Sequence, residues 1–258
     1  MKIESSDEVL LRIERAARAR PGGAVATDGD GTLWSGDVGE DFYFALAESG
    51  RVSPLAYDAL AREARDHDVD PSGSPAALAR RIYEAYVAGR FPEERVCELM
   101  TWCFAGWSRA ELDLFAREVA ARVGLEARLH GEVRRVLEGV RRAGVEIFLV
   151  SASPRAIVEA AGRLLGIDAA HVVAADPVWE ADTMSASVVR PIPYGVGKVG
   201  GLRARIGDRE LYAAFGDNAF DVPLLAAALV PVAVRPKPKL RARAGDVPDL
   251  VELAASPP

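Results

Sequence analysis

Two aspartates stand two residues apart in the segment Asp28-Gly29-Asp30-Gly31-Thr32, directly after a short apolar run. A carboxylate can attack phosphorus as a nucleophile, and a second carboxyl group can protonate the leaving oxygen and then activate water. The glycines permit the chain to turn and leave backbone N–H groups free for an anion. The segment therefore suits covalent phosphoryl transfer, with Asp28 as candidate nucleophile and Asp30 as candidate general acid and base.

A calcium-binding loop starts with a similar pattern of acidic residues. That loop requires glycine at its sixth position and glutamate at its twelfth. Those positions hold Leu33 and Gly39 here, and a strand is predicted before the segment where a calcium loop follows a helix. Calcium is therefore disfavoured. A polar turn with helix-capping aspartates would explain either aspartate alone, but not the segments described next.

Two further segments offer an anion site and a cation. In Ser151-Ala152-Ser153-Pro154, a hydroxyl and free N–H groups at the start of a helix can bind phosphate, although serine before proline is also a routine helix cap. Lys198 begins a predicted amphipathic helix. A lone lysine is usually solvated, but an ammonium group here would balance the phosphoryl oxygens and the carboxylates.

Asp217 and Asp221 lie four residues apart across a predicted strand–helix turn. Magnesium prefers oxygen ligands, and Asp28, the backbone carbonyl of Asp30 and Asp217 would supply them. Asp221 would orient Lys198 or a bound water. A helix N-cap followed by an acid in the first turn is the common alternative for this pair.

The elements that must position these groups are strands alternating with helices. Apolar runs predict strands at 23–27, 145–150, 171–174, 211–215 and 230–234, with a possible hairpin at 179–190. This alternation predicts an α/β fold with a doubly wound, mostly parallel sheet. Ligands of such sheets bind at the carboxyl ends of the strands, so Asp28, Ser151 and Asp217 should meet at one edge.

Between the first and second of these strands the pattern is helical. Capping signals such as Ser74-Pro75 and the pair Ser108 and Glu111 mark successive helices, and no convincing strand interrupts them. We therefore expect an all-helical cap domain at 37–127, inserted into a catalytic core made of 1–36 and 128–258.

In this order, the segments resemble the haloacid dehalogenase superfamily, and the stretches 148–154 and 216–225 are similar to its phosphoserine-phosphatase-like subgroup. The resemblance implies a Rossmann-like core with a helical cap, a magnesium cofactor and the roles given above. It also implies phosphoryl chemistry, because the dehalogenase branch lacks the second aspartate that Asp30 supplies here. We therefore expect a magnesium-dependent phosphomonoesterase that acts on a small phosphorylated metabolite through a phospho-aspartate.

The resemblance places Asp37 near a substrate-contacting glutamate of phosphoserine phosphatases. The expected substrate contacts are Ser151, Ala152, Lys198, Asp37 and Glu40. Asp41, Arg155 and Arg190 are further candidates. The segment 28–44 also resembles phosphorylcholine phosphatases, which would require an aromatic cage. Trp34, Tyr43, Trp102 and Trp107 are candidates for it, although core packing is the commoner use of such residues.

Composition narrows the function classes. The chain has 258 residues and a formal net charge of -6, which disfavours a nucleic-acid partner. The basic stretch 235–239 is interpreted as a solvated loop. Cys97 and Cys103 make neither a disulfide framework nor a zinc site. No long apolar run suggests a membrane span or a signal peptide, so we expect a cytoplasmic protein; its oligomeric state stays open.

Two other functions remain compatible with the same residues. A phosphotransferase or phosphomutase would pass the phosphoryl group to a sugar, and a non-catalytic protein would only bind phosphate or metal. Retention of all the chemical groups described above disfavours the non-catalytic alternative.

Overall fold

A parallel sheet of seven strands forms the centre of the protein, whose computed structural model describes residues 1–256. In chain order the strands of the protein are β1 (Lys2–Glu4), β2 (Ala24–Thr27), β3 (Glu146–Pro154), β4 (Val172–Ala175), β5 (Pro177–Glu180), β6 (Thr183–Val188), β7 (Leu211–Gly216), β8 (Val230–Val234) and β9 (Val251–Leu253). The sheet order is β1-β9-β8-β7-β2-β3-β4, and β5 pairs with β6 as a separate antiparallel hairpin. The predicted doubly wound, mostly parallel α/β fold is confirmed.

Helices cover both faces of this sheet. They are α1 (Ser6–Ala19), α2 (Val38–Ser49), α3 (Pro54–Asp66), α4 (Pro75–Val87), α5 (Glu93–Trp102), α6 (Arg109–Arg122), α7 (Gly131–Arg142), α8 (Arg155–Leu164), α9 (Val196–Ile206), α10 (Val222–Ala226) and α11 (Pro238–Ala242). Val25 of β2 belongs to the buried cluster that includes α1 and α7, whereas Ala24 and Ala26 belong to the cluster that includes α9 and α10. Successive side chains of β2 therefore enter opposite layers, as a strand buried on both faces requires.

The helices α2–α6 follow one another between β2 and β3, as the sequence predicts. Ser74 caps α4, whose first residue is Pro75, and Ser108 with Glu111 forms the predicted capping box of α6. The hairpin joins this helical block, because Gly106 donates a backbone hydrogen bond to Met184 over 2.8 Å. The division into a cap at 37–127 and a core at 1–36 and 128–258 stays a prediction.

The sequence misses both strands at one edge of the sheet, β1 and β9. Each has only three residues, too few for a clear alternating pattern, and they pair with each other. The sequence also misses α11, and the predicted helix after Asp217 is a 3-10 turn (Ala219–Asp221) followed by the short α10. No helix within 1–256 has the length and apolar character needed to cross a bilayer.

Candidate active site

Three neighbouring strands carry the predicted chemical groups to one edge of the sheet. β2 lies between β3 and β7, and all three are parallel. Asp28 follows β2 and Asp217 follows β7, while β3 continues past Val150 so that Ser151 lies within the strand and not after it. The chain order reverses at β2, and this switch point is where open α/β sheets bind their ligands.

Asp28 is held in a fixed orientation. Its backbone N–H donates to the carbonyl of Phe215 over 2.9 Å, which ties the residue to β7. The Thr32 hydroxyl donates to Asp28 Oδ2 over 2.8 Å, and Lys198 Nζ donates to Oδ1 over 2.6 Å. Only 3% of Asp28 is exposed. The carboxylate is thus positioned and its charge is balanced, as a nucleophile requires.

Lys198 is completely buried and bridges two acids. Its ammonium group also donates to Asp221 Oδ1 over 2.5 Å. Burial alone would lower the pKa of Lys198, but the carboxylates of Asp221 and Asp28 outweigh burial and raise the pKa above its ordinary value. Asp221 Oδ2 in turn accepts from the backbone N–H of Asp217. Asp221 therefore orients both the lysine and the loop that follows β7.

The carboxylates of Asp28, Asp217 and Asp221 form a buried cluster, with one oxygen of each within 4.8 Å of the others. Burial and the repulsion of Asp28 raise the pKa of Asp217 to about 7 and that of Asp221 to about 6. Asp217 Oδ2 pairs with Lys237 Nζ at 2.8 Å, but Asp217 Oδ1 is buried and has no hydrogen-bond partner in the described chain. An orphaned carboxylate oxygen in an acidic cluster fits a hard divalent cation.

Gly31 permits the close approach of the two loops that build this cluster. Its φ is +81°, and a Cβ there would lie 2.1 Å from Asp217 Oδ2. Any other residue would both strain the backbone and collide with the carboxylate. The second glycine of the Asp-Gly-Asp-Gly-Thr segment is thus required by its packing against the loop after β7.

Asp30 lies outside the cluster and is held without a cation. Its Oδ1 accepts from Trp34 Nε1 over 2.8 Å and from the backbone N–H of Val38 over 2.7 Å. Its Oδ2 accepts from the hydroxyls of Ser153 over 2.7 Å and Ser151 over 3.4 Å. Burial and the charge of Asp28 raise its pKa, despite the opposing hydrogen bond from Ser153. A raised pKa favours the protonated form that a general acid needs.

A narrow cleft of about 50 Å³ opens beside Asp28, and we call it the acidic cleft. It is lined by Asp28, Asp30, Asp37, Glu40, Tyr86, Glu93, Val96, Cys97, Met100, Ser151, Ala152, Ser153, Tyr194 and Phe220. It borders a wider opening of about 630 Å³ that shares Asp37, Glu40 and Glu93 with it. The predicted substrate contacts Asp37, Glu40, Ser151 and Ala152 thus lie together, whereas the buried Lys198 reaches the site through Asp28. A larger cavity of about 740 Å³ lies between α6 and α8, far from these groups in the fold.

Several other candidates lie away from this cleft. Asp41 pairs with Arg128 at 2.5 Å, Arg190 pairs with Glu98 at 2.6 Å, and Arg155 donates to Asp176 over 2.8 Å. The proposed cage aromatics Trp34, Tyr43, Trp102 and Trp107 are all buried in the core. These residues therefore make structural contacts, and among them Trp34 also donates to Asp30 of the cleft.

Sequence reasoning misses Lys237 and Ser153. The stretch 235–239 is interpreted above as a solvated loop, but Lys237 reaches Asp217. It follows β8, the strand beside β7, so the rule that selects Asp217 would also have selected it. Ser153 stands two residues after Ser151, and in an extended strand such residues share a face. No comparable signal marks Tyr86 and Glu93, which come from the helical block.

Comparison with known proteins gives one family. A model described as haloacid dehalogenase-like hydrolase matches residues 25–226. The "Inhibition of morphological differentiation protein" of Streptomyces azureus is 28% identical over 172 residues, which cover 65% of this chain and 61% of that protein. The match therefore spans about three-fifths of the length of that curated relative.

Two solved structures have a similar fold. A protein of unknown function from Bordetella pertussis Tohama I is 25% identical, with a TM-score of 0.69 over 88% of this chain and 97% of that one. A probable phosphoserine phosphatase from Vibrio cholerae is 16% identical, with a TM-score of 0.54 over 90% of this chain and 61% of that one. At that identity the second similarity concerns the fold alone.

Proposed function

Because the chain belongs to the haloacid dehalogenase-like hydrolase family, we propose that it is a magnesium-dependent phosphomonoesterase acting through a phosphorylated Asp28. The observation that carries the proposal is that the carboxyl groups of two nearby aspartates lie in different electrostatic environments. Asp28 is ionically paired with Lys198, whereas Asp30 is hydrogen-bonded without a cation and has a raised pKa. One carboxyl group is thus prepared for attack and the other for proton transfer.

The first half-reaction follows from these positions. The Asp28 carboxylate attacks phosphorus, the bond between phosphorus and the ester oxygen breaks, and the departing alcohol takes a proton from Asp30. Ser151 and Ala152 line the same cleft, which supports the proposal that the Ser151 hydroxyl and the Ala152 backbone N–H hold the phosphoryl oxygens. Lys198 donates a hydrogen bond to Asp28 before the attack and offsets the charge of the phosphoryl group afterwards.

The second half-reaction returns the enzyme to its starting state. Asp30, now ionised, accepts a proton from water as the water oxygen attacks the phosphorus of the phosphorylated Asp28. The acyl phosphate bond breaks, inorganic phosphate leaves, and Asp30 is protonated again. Helices of the block at 37–127 supply Glu40, Tyr86 and Glu93 to one wall of the cleft. This placement supports the proposal that the block is a cap that limits the access of bulk water.

The acidic cluster supports the proposed magnesium ion. Asp28, the backbone carbonyl of Asp30 and Asp217 would hold it, and Asp217 Oδ1 is a buried acceptor without a partner among the described residues. When bound, magnesium supplies positive charge that offsets the phosphoryl oxygens. We expect magnesium at a hundredfold excess over its Kd to stabilise the free protein by about 2.7 kcal/mol, and to stabilise an Asp217→Asn variant much less. Thermal unfolding with and without magnesium measures both values; equal shifts in the two proteins would contradict this site.

The experiment that tests the proposed function uses p-nitrophenyl phosphate as a generic substrate. We expect magnesium-dependent turnover by the wild type and a loss of about 10⁴-fold or more in Asp28→Asn, which keeps the shape of the side chain but not its nucleophile. Asp208→Asn is the matched control, because Asp208 is exposed and precedes β7 at the opposite edge of the sheet. Full activity of folded Asp28→Asn would exclude the covalent mechanism.

A further inference from the structure

His130 connects the start of α7 to the segment that carries Asp28. It precedes α7 directly, and only 6% of it is exposed. A polar residue at that position usually caps the helix, but the side chain of His130 makes no capping hydrogen bond in the part of the chain that the structure describes. Its ring contacts the Asp-Gly-Asp-Gly-Thr segment, where Nδ1 lies 3.0 Å from the carbonyl oxygen of Thr32.

The ring of His130 donates through Nδ1. A carbonyl oxygen only accepts hydrogen bonds, so Nδ1 carries the proton in this contact. Burial lowers the pKa of His130, although the hydrogen bond with Thr32 opposes the change, so the ring is neutral at neutral pH. Nε2 is then an acceptor, and it is buried without a partner within 1–256. An apolar side chain would fill the same space without this unsatisfied atom, so what the ring adds is its hydrogen bond to Thr32.

Residue 130 holds two successive carbonyl groups of the segment after β2. Its backbone N–H donates to the carbonyl of Leu33 over 2.9 Å, and its ring donates to the carbonyl of Thr32. Thr32 is fully buried, and no backbone N–H of the described residues donates to its carbonyl. Removal of the ring would leave that oxygen buried without this donor, which favours a rotation of the Thr32 peptide group.

Thr32 transmits this constraint to Asp28. Its hydroxyl donates to Asp28 Oδ2 over 2.8 Å, while Lys198 donates to Oδ1. Because hydrogen bonds are directional, one donor on each oxygen fixes the rotation of the carboxylate plane. A rotation of Thr32 would carry the hydroxyl away from Oδ2 and leave the carboxylate held at Oδ1 alone. The orientation of Asp28 therefore depends on the ring of His130.

Resting on the proposed function, we propose that His130 is a positioning residue that orients Asp28 for its attack on phosphorus by holding the carbonyl of Thr32. His130 does not belong to the described lining of the acidic cleft, so it acts through Thr32 and not on the substrate. Its loss should therefore slow the attack without weakening the binding of a phosphoryl group.

His130→Leu removes the ring donor and tests this expectation. We expect kcat/KM for p-nitrophenyl phosphate with magnesium to fall by about tenfold, because a misplaced nucleophile attacks more slowly. The Ki of inorganic phosphate as a competitive inhibitor should stay within about twofold of the wild-type value, since its contacts are unchanged. Wild-type kcat/KM in the folded variant, or an equal loss in both quantities, would overturn the proposal.

His67→Leu is the matched control for this variant. His67 Nδ1 also lies beside a backbone carbonyl, that of Glu63 at 2.9 Å, but within the helical block. The control should keep the wild-type kcat/KM and Ki. A tenfold loss in the control as well would mean that any such histidine contact affects turnover, and the specific role of His130 would fail.

A double-mutant cycle tests whether His130 acts through Thr32. Thr32→Val keeps the shape of the side chain and the backbone carbonyl but removes the hydroxyl that reaches Asp28. We expect Thr32→Val to lower kcat/KM at least as much as His130→Leu, and the double variant to lie within about twofold of Thr32→Val. Losses that multiply would show that His130 acts by another route, which contradicts the proposal.

Nitrogen-15 NMR of the wild type tests the contact without any change at residue 130, and it decides the question if His130→Leu does not fold. The chain has three histidines, so the signals of His67 and His171 are assigned by replacing each of them. We expect the remaining ring to be neutral and protonated at Nδ1 at neutral pH. Protonation at Nε2 alone would overturn the proposal, because Nδ1 could not then donate to Thr32.

The activity of the wild type separates the two levels of the proposal. If the wild type is active and folded His130→Leu keeps its kcat/KM, the role of His130 fails and the phosphomonoesterase function stands. If the wild type does not hydrolyse p-nitrophenyl phosphate in the presence of magnesium, the proposed function fails and the role of His130 fails with it.

Discussion

Two regions of the protein differ in whether their carboxylates form ion pairs. They are the sheet-edge cluster, which consists of Asp28, Lys198, Asp217, Asp221 and Lys237, and the acidic cleft. In the sheet-edge cluster, each aspartate forms an ion pair with a lysine of the chain, at 2.5 to 2.8 Å. In the acidic cleft, the carboxylates of Asp37, Glu40 and Glu93 form no ion pair within the described residues. The first region is supplied by segments that follow parallel strands and by Lys198 of α9, and the second largely by helices of the inserted block.

From this difference we infer that the sheet-edge cluster serves the chemistry and the acidic cleft serves the selection of the ligand. A cluster with internal compensation is ordered before any substrate arrives, as preorganised catalytic groups must be. Acids that form no ion pair can respond to the charge of a ligand, so the cleft can discriminate between ligands. The following predictions alter one region at a time, beginning with Asp30, which borders both.

Asp30→Asn should have the largest effect. Loss of the general acid should lower kcat/KM for an alkyl phosphate by about 10²–10⁴-fold. The loss should be much smaller for p-nitrophenyl phosphate, because its phenolate leaves without protonation. Steady-state kinetics with both esters measures the difference. Equal losses would mean that Asp30 positions other groups and donates no proton.

Lys198→Met should remove the cation that balances the negative charge at the sheet edge. It leaves Asp28 and Asp221 buried without a cation, which should lower the free energy of unfolding by about 3–5 kcal/mol. Lys2→Met is the control, because Lys2 pairs with Glu4 but 69% of its side chain is exposed. Removing such a surface pair should cost less than about 1 kcal/mol. Urea unfolding measures both values, and similar losses would contradict the contrast.

Glu40→Gln should have the smallest effect and the opposite sign. Burial raises the pKa of Glu40, although the hydrogen bond from Tyr83 opposes it, so the charged form is less stable in the folded protein than in the unfolded one. The variant should therefore be more stable than the wild type above the carboxyl pKa, by at most about 1 kcal/mol because solvent screens this half-exposed group. The gain should vanish as pH falls and the carboxyl group becomes protonated in both states. Unfolding at a series of pH values measures this; a variant that is less stable at neutral pH would contradict the uncompensated cleft.

The two regions also differ in how far the sequence predicts them. The carboxyl ends of buried parallel strands define one edge, so strand positions alone place Asp28, Ser151 and Asp217 together. Lys237 obeys the same rule but is hidden in a basic stretch typical of a solvated loop. The cleft has no such rule, because the packing angles of α2, α4 and α5 decide which faces meet. The family resemblance predicts Asp37 there, and Glu40 is a further candidate contact, whereas no pattern in the sequence predicts Tyr86, Glu93 and Phe220.

The central claim is that Asp28 carries the phosphoryl group. The most direct measurement is an acid quench during turnover, reduction of acyl phosphate with borohydride, and mass spectrometry of the peptides. We expect a reduced side chain at residue 28 in the wild type and none in Asp28→Asn, since borohydride converts an acyl phosphate to an alcohol. Reduction at another residue would contradict the account. So would the absence of any reduced residue in a reaction that releases phosphate and accumulates an intermediate.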